Sequence, residues 1–228
     1  MLKAQGYHRG TVESATRPQP LGRREVQKQL RFERIQHAAR ELFLKKGFAG
    51  TTMRQIARRA RVGLGTIFRH VADKRDLLFL LFAADHKAVT QAAFAALPDA
   101  ALLDRLLHAF GHYYRYFAAQ PDFARAVLQE ITFYPRRLAD QTDAPGQQVR
   151  LHFCQLIETA RARGEIRGGE DAAMIALLIF DIYQAECRRW LADARPDVAV
   201  GLAALRCALA VVVRGLVPDA KAATRFRR

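Results

Sequence analysis

RFERIQHAARELFLKKGFAGTTMRQIARRARVGLGTIFRHVADKRDLL, residues 31–78, contains four apolar segments of helical period divided by short breaks. The first belongs to a helix expected from about Val26 to Lys46. It carries Leu30, Ile35, Ala38, Ala39, Leu42 and Phe43 on one stripe, and Gly47 is placed to end it. Thr52 followed three residues later by Gln55 is a capping box, opening a short helix that turns Met53, Ile56, Ala57 and Ala60 inward. Gly63 opens a second short helix, expected to reach Val71. Asp73, with Asp76 in the first turn, caps a fourth helix bearing Leu77, Leu78, Leu81 and Phe82.

Two short helices joined by a tight turn and braced by a longer one describe a helix-turn-helix, and the charge agrees. The 228 residues carry a formal net charge of +15, of which +12 falls in residues 1–76, with 18 Lys/Arg against 6 Asp/Glu. Residues 77–228 carry only +3. Charge confined to one module implies a polyanionic partner. An anionic membrane would need large apolar residues exposed beside the lysines, whereas here the apolar stripes are accounted for by a core, so the partner expected is double-stranded DNA.

The quoted stretch resembles the DNA-binding domain of the TetR family. The matching pieces are Ile35, Ala38-Ala39, Gly47-Phe48, Thr51-Thr52, Ile56-Ala57, Val62, Gly65-Thr66-Ile67, His70, Asp73-Lys74 and Leu77. The resemblance implies a dimer reading a palindromic operator and released by a small-molecule effector, a repressor in its usual form. It places Leu64, Thr66, Phe68 and Arg69 in the major groove, with Arg69 suited to guanine and Thr66 to a base edge or thymine methyl. Thr52, Arg54, His70 and Lys74 complete the expected DNA-binding set, with Arg54 and Lys74 on backbone phosphates. Four positions depart from the family. The turn glycine is Arg61, the serine cap is Gly63, the phosphate-binding tyrosine is Phe68, and the closing phenylalanine is Val71. A non-glycine residue in the left-handed region costs about 1 kcal/mol or somewhat more, so Arg61 leaves the turn open to distortion.

Pro and Gly breaks divide the remainder into further helices, about nine in all, so the fold class is all-α. The expected organisation is a disordered basic arm (1–22), the helix-turn-helix domain (23–76), a helical ligand-binding and dimerisation domain (77–218) and a basic tail (219–228). A helix from about Asp171 to Ala194 is apolar all round in its first half, and one from about Val198 to Val217 is similar. Such helices are buried on both sides, and the resemblance implies that they pair with the same two of a second subunit, a homodimer through the last two helices. Asp181 sits oddly among them, paired with an arginine across the dimer or lying in the ligand pocket. Tyr113, Phe117, Phe133, His152 and Tyr183 are the expected lining of a site for an apolar or aromatic small molecule, core packing being the alternative for each.

His108 and His112 have the i, i+4 spacing of metal ligands but no evident third ligand, so no metal is expected. Cys154, Cys187 and Cys207 form no disulfide or metal framework and fit a reducing cytoplasm. No nucleophile motif or phosphate-cradling glycine loop points to an enzyme, and no cofactor is expected. A constitutive DNA-organising protein without an effector is the competing class.

Overall fold

The computed structural model describes residues 22–132, 144–167 and 169–216. These contain nine helices and no strand: α1 (Arg23–Lys46), α2 (Met53–Ala60), α3 (Leu64–Phe68), α4 (Lys74–Ala95), α5 (Leu102–Ala119), α6 (Pro121–Thr132), α7 (Ala144–Ala162), α8 (Ala172–Leu191) and α9 (Val198–Leu216). Apart from Gly22, the expected arm and the whole of the expected tail lie outside the described residues.

α1 buries Ile35, Ala38, Ala39, Leu42 and Phe43, and Gly47 ends it at φ 73°. Leu30, expected on the same stripe, is instead exposed, because residues 23–30 of α1 are all solvent-exposed and no other described element covers that stripe there. Thr52 and Gln55 form the capping box, with the Gln55 amide donating to Thr52 Oγ1 at 3.3 Å and the Thr52 amide donating to Gln55 Oε1 at 2.9 Å. α2 then buries Ile56, Ala57 and Ala60. Arg61 closes α2 at φ 55°, ψ 49°, the only non-glycine residue with positive φ among those described. The turn thus keeps its left-handed geometry, and the arginine takes the strain. α3 ends at Phe68, three residues before the expected Val71, although the Val71 amide still donates to Ile67 O. Asp73 caps α4 by accepting from the amides of Arg75 (2.7 Å) and Asp76 (3.1 Å).

α4 runs unbroken through the expected domain boundary at residue 76. Its first turns pack on α1 and the rest pack on α5, α6 and α7. It is therefore apolar on several faces, with Leu77, Leu78, Phe79, Leu81 and Phe82 all buried. α5 lies at the centre of the body against α4 and α9, while α7 pairs with α8. α9 approaches α5 closely at Gly201, where a Cβ would stand 2.5 Å from Tyr114 Cε1 and 2.8 Å from Trp190 Cδ1. By length and composition α4 and α9 could each cross a membrane. α4 is packed between head and body, however, and Arg206 of α9 pairs with Asp104 of α5 at 2.7 Å.

Candidate nucleic-acid interface and effector core

Buried Ile56, Ile67 and Val71, with half-buried Val62, fix α3 against α2 and leave the opposite face of α3 outward. Phe68 is 50% exposed, Arg69 is exposed, and Leu64 and Thr66 are half-buried. Arg69 Nη2 donates to Thr66 Oγ1 at 3.2 Å, so the two side chains expected to read bases lie together. Arg54 is exposed in the first turn of α2, and the exposed Thr52 spends its oxygen on the helix cap.

His70 stacks on Phe32 of α1, with ring centroids 4.6 Å apart. Burial, and then the charges of Lys28, Arg69 and Arg31, hold its pKa below the ordinary value. Those cations gather where the free end of α1 meets the end of α3. Lys28 and Arg31 are thus candidate backbone contacts absent from the sequence expectation. The signal was present, since Arg24, Lys28 and Arg31 recur at helical spacing on the exposed start of α1.

Lys74 makes contacts within the head that its place at a helix start does not suggest. Its ammonium donates to Phe48 O (2.6 Å) and Thr51 O (2.9 Å) and stands 4.2 Å from the centre of the Phe48 ring. Burial pushes its pKa down. Carbonyls left exposed by the end of α1 attract the cation inward, so Lys74 ties the α1–α2 loop to the start of α4 and keeps one N–H free of these bonds.

Of the expected effector residues, Tyr113, Phe117 and Tyr183 are buried and His152 is half-buried, while Phe133 lies outside the described residues. They belong to a run of touching rings: Phe117–Phe82 (6.4 Å), Phe82–His86 (5.0 Å), His86–Tyr113 (5.1 Å), Tyr113–Tyr183 (6.0 Å), Tyr183–Phe110 (4.5 Å), Phe110–Phe153 (4.8 Å), Phe153–Phe94 (5.6 Å) and Phe94–His152 (4.3 Å). The expected residues are thus interleaved with Phe82, which the pattern marked only as core, and with His86, Phe94 and Phe110, which it did not single out. In this structure the rings pack on one another and act as core. An open cleft of about 350 Å³ is lined by Leu97, Asp99, Arg105, Leu156, Thr159 and Arg163 and by none of these rings.

Within the rings is a short polar chain. Tyr113 Oη donates to Thr90 Oγ1 at 2.9 Å, and Thr90 donates to His86 O at 2.8 Å. Thr90 Oγ1 also lies 3.3 Å from His86 Nδ1. With the one hydroxyl hydrogen of Thr90 spent on the carbonyl, Nδ1 is assigned as the donor, and Nε2 becomes a lone-pair acceptor. Burial keeps the ring neutral, its pKa pushed down to about 4.

Head and body meet at a carboxylate. Arg40 of α1 bonds both oxygens of Asp85 on α4, at 2.7 and 2.8 Å, and Tyr116 of α5 donates to Asp85 Oδ2 at 3.0 Å. The arginine pKa is raised chiefly by that hydrogen bond. Burial, followed by the charge of Asp85, raises the tyrosine.

A basic helix-turn-helix head joined through one continuous helix to an aromatic helical body defines a DNA-binding regulator. Residues 35–81 match the family model for bacterial regulatory proteins of the tetR family. The chain is 27% identical over 168 residues to the HTH-type transcriptional repressor KstR of Mycolicibacterium smegmatis, covering 73% of this chain and 79% of that one. Two solved structures share the fold. Thermus thermophilus FadR, in complex with lauroyl-CoA, has a TM-score of 0.65 at 23% identity, covering 83% of this chain and 97% of that one. Bacillus subtilis FadR, in complex with stearoyl-CoA, has a TM-score of 0.65 at 19% identity, covering 81% and 99%. Residues 35–81 thus carry the DNA-binding domain of the tetR family, and the curated relative is a transcriptional repressor.

Proposed function

We propose that this regulator is a cytoplasmic repressor that binds a palindromic operator as a homodimer and is released by an apolar or aromatic small molecule. The observation that carries the reading is the outward face of α3, where Thr66, Phe68 and Arg69 stand clear of a packed basic head. Arg69 and Thr66 contact bases, and Arg54, Lys28 and Arg31 contact phosphates. The likeness to KstR supports repression.

Dimerisation through α8 and α9 is supported by the apolar residues they leave uncovered in the protomer: Met174, Leu177, Leu178, Val200 and Val211. The effector parts the aromatic rings between α4, α5 and α8, and His86 Nε2 accepts a hydrogen bond from it. Acyl-CoA thioesters, the ligands named for the two FadR neighbours, join flat aromatic compounds in the first screen.

The test is anisotropy with inverted-repeat DNA captured from the genome, against scrambled DNA over a range of salt. Binding should fall with a log–log salt slope of about −5 or steeper. It should be reversed by a compound that also raises the melting temperature. Uniform occupancy of genomic DNA, unaffected by any compound, would establish the constitutive organiser instead.

A further inference from the structure

α8 leaves one face uncovered in the protomer, and that face is not uniformly apolar. Met174 is 54% exposed and Leu178 47%, and the same line continues through exposed Asp181, half-buried Ala185 and exposed Arg188. Residues 174, 181 and 188 are seven apart, two helical turns, so each stands about 10.5 Å from the next along a single line. Asp181 and Arg188 have no ion-pair or hydrogen-bond partner among the described residues. Several neighbouring charges of the body are matched within the protomer, as Arg189 is with Glu186 and Arg206 with Asp104. Two unmatched opposite charges thus lie on a surface that otherwise favours burial.

We infer that this face is self-complementary, with Asp181 of each subunit paired to Arg188 of the partner subunit. The inference rests on the dimer reading above and adds its register. In an antiparallel contact about a two-fold axis, facing residue numbers have a constant sum. Exchanging 181 with 188 puts the axis level with Gln184 and Ala185, midway between the charges. Both pairs then form at once, and the small side chain of Ala185 lets the helices approach at the crossing. A parallel arrangement would set Asp181 on Asp181 and Arg188 on Arg188, which like-charge repulsion opposes. A carboxylate buried at this crossing without a partner would be left uncompensated. The pair therefore chooses the register, and the apolar residues supply the adhesion.

The experiment is analytical ultracentrifugation of the full chain and its D181R, R188D and D181R/R188D variants. Both positions are exposed in the protomer, and unchanged circular dichroism checks that the fold survives. Each single reversal opposes like charges twice per dimer and should raise the dimer dissociation constant by about a hundredfold or more. The double reversal should restore it to within about tenfold of the parent. Undiminished dimerisation in both single variants would overturn the pairing and leave the dimer standing. Rescue of D181R by R214D in place of R188D would also overturn it, assigning the carboxylate to the arginine near the end of α9. A parent chain that sediments as a monomer would overturn the dimer reading and the pairing together.

Discussion

Replacing Arg61 by glycine should stabilise the protein. Arg61 is held at φ 55°, ψ 49°, where a Cβ crowds the following carbonyl at a cost of about 1–2 kcal/mol. Glycine removes that cost but gains freedom in the unfolded chain worth roughly 0.5–1 kcal/mol. The net gain is about 0.5–1 kcal/mol, or roughly 1–4 °C in melting temperature for a chain of this size. The arginine side chain shares a basic cleft with Arg34, His37 and Arg59, so its removal also relieves repulsion. Arg61→Ala separates the two effects, since alanine sheds the charge and keeps the strain. Thermal melts of all three proteins at one concentration should rank glycine above alanine by about 1 kcal/mol. Equal stability of the glycine and alanine variants would refute the backbone argument, and a glycine variant below the parent would show that the arginine side chain makes a compensating contact.

Arg69→Ala should cost about 1–3 kcal/mol on the operator and relax base preference there, with little effect on scrambled DNA in the same titration. Phe68→Tyr should tighten binding to both DNAs together, because the exposed ring gains a hydroxyl for a phosphate, worth roughly 1.5–3 kcal/mol before desolvation. A loss confined to the operator would mean that Phe68 reads a base. Lys74→Met strips the Phe48 and Thr51 carbonyls of their donor and should lower stability by about 1–3 kcal/mol, read by thermal melt without DNA. His86 is buried neutral with its pKa near 4, below that of the unfolded chain, so its contribution is fully present above pH 6.5 and is lost as pH falls toward 4. The loss should approach roughly 3 kcal/mol, and His86→Leu should remove that segment from a plot of melting temperature against pH.

Local chemistry made the head legible. Thr52 with Gln55, Asp73 with Asp76, and Gly47 each act within a few residues of themselves, so the helix ends they set can be read from the chain. The fate of Leu30 could not, because the pattern shows that a stripe exists without showing where its neighbour stops. Lys74 illustrates the same limit. Its place at a helix start suggested a phosphate, but the carbonyls that capture it come from residues 23 and 26 positions earlier. His86 and Arg40 were missed for a related reason. A histidine or arginine in a helix resembles a surface residue until Thr90, Tyr113 or Asp85 is known to face it, and Asp85 lies 45 residues from Arg40.

The carboxylate of Asp85 bears on the architecture of the operator. Held by three bonds from two other helices, it makes the joint between head and body stiff, since swinging α1 away from α4 breaks both arginine bonds together. Inserting one base pair between half-sites rotates one against the other by about 35° and moves it about 3.4 Å along the duplex. A loose joint would absorb that change, whereas this one passes the misfit to the DNA contacts. Operators for this protein should accordingly keep one fixed spacing, and genomic sites with even a single inserted base pair should be absent from its regulon.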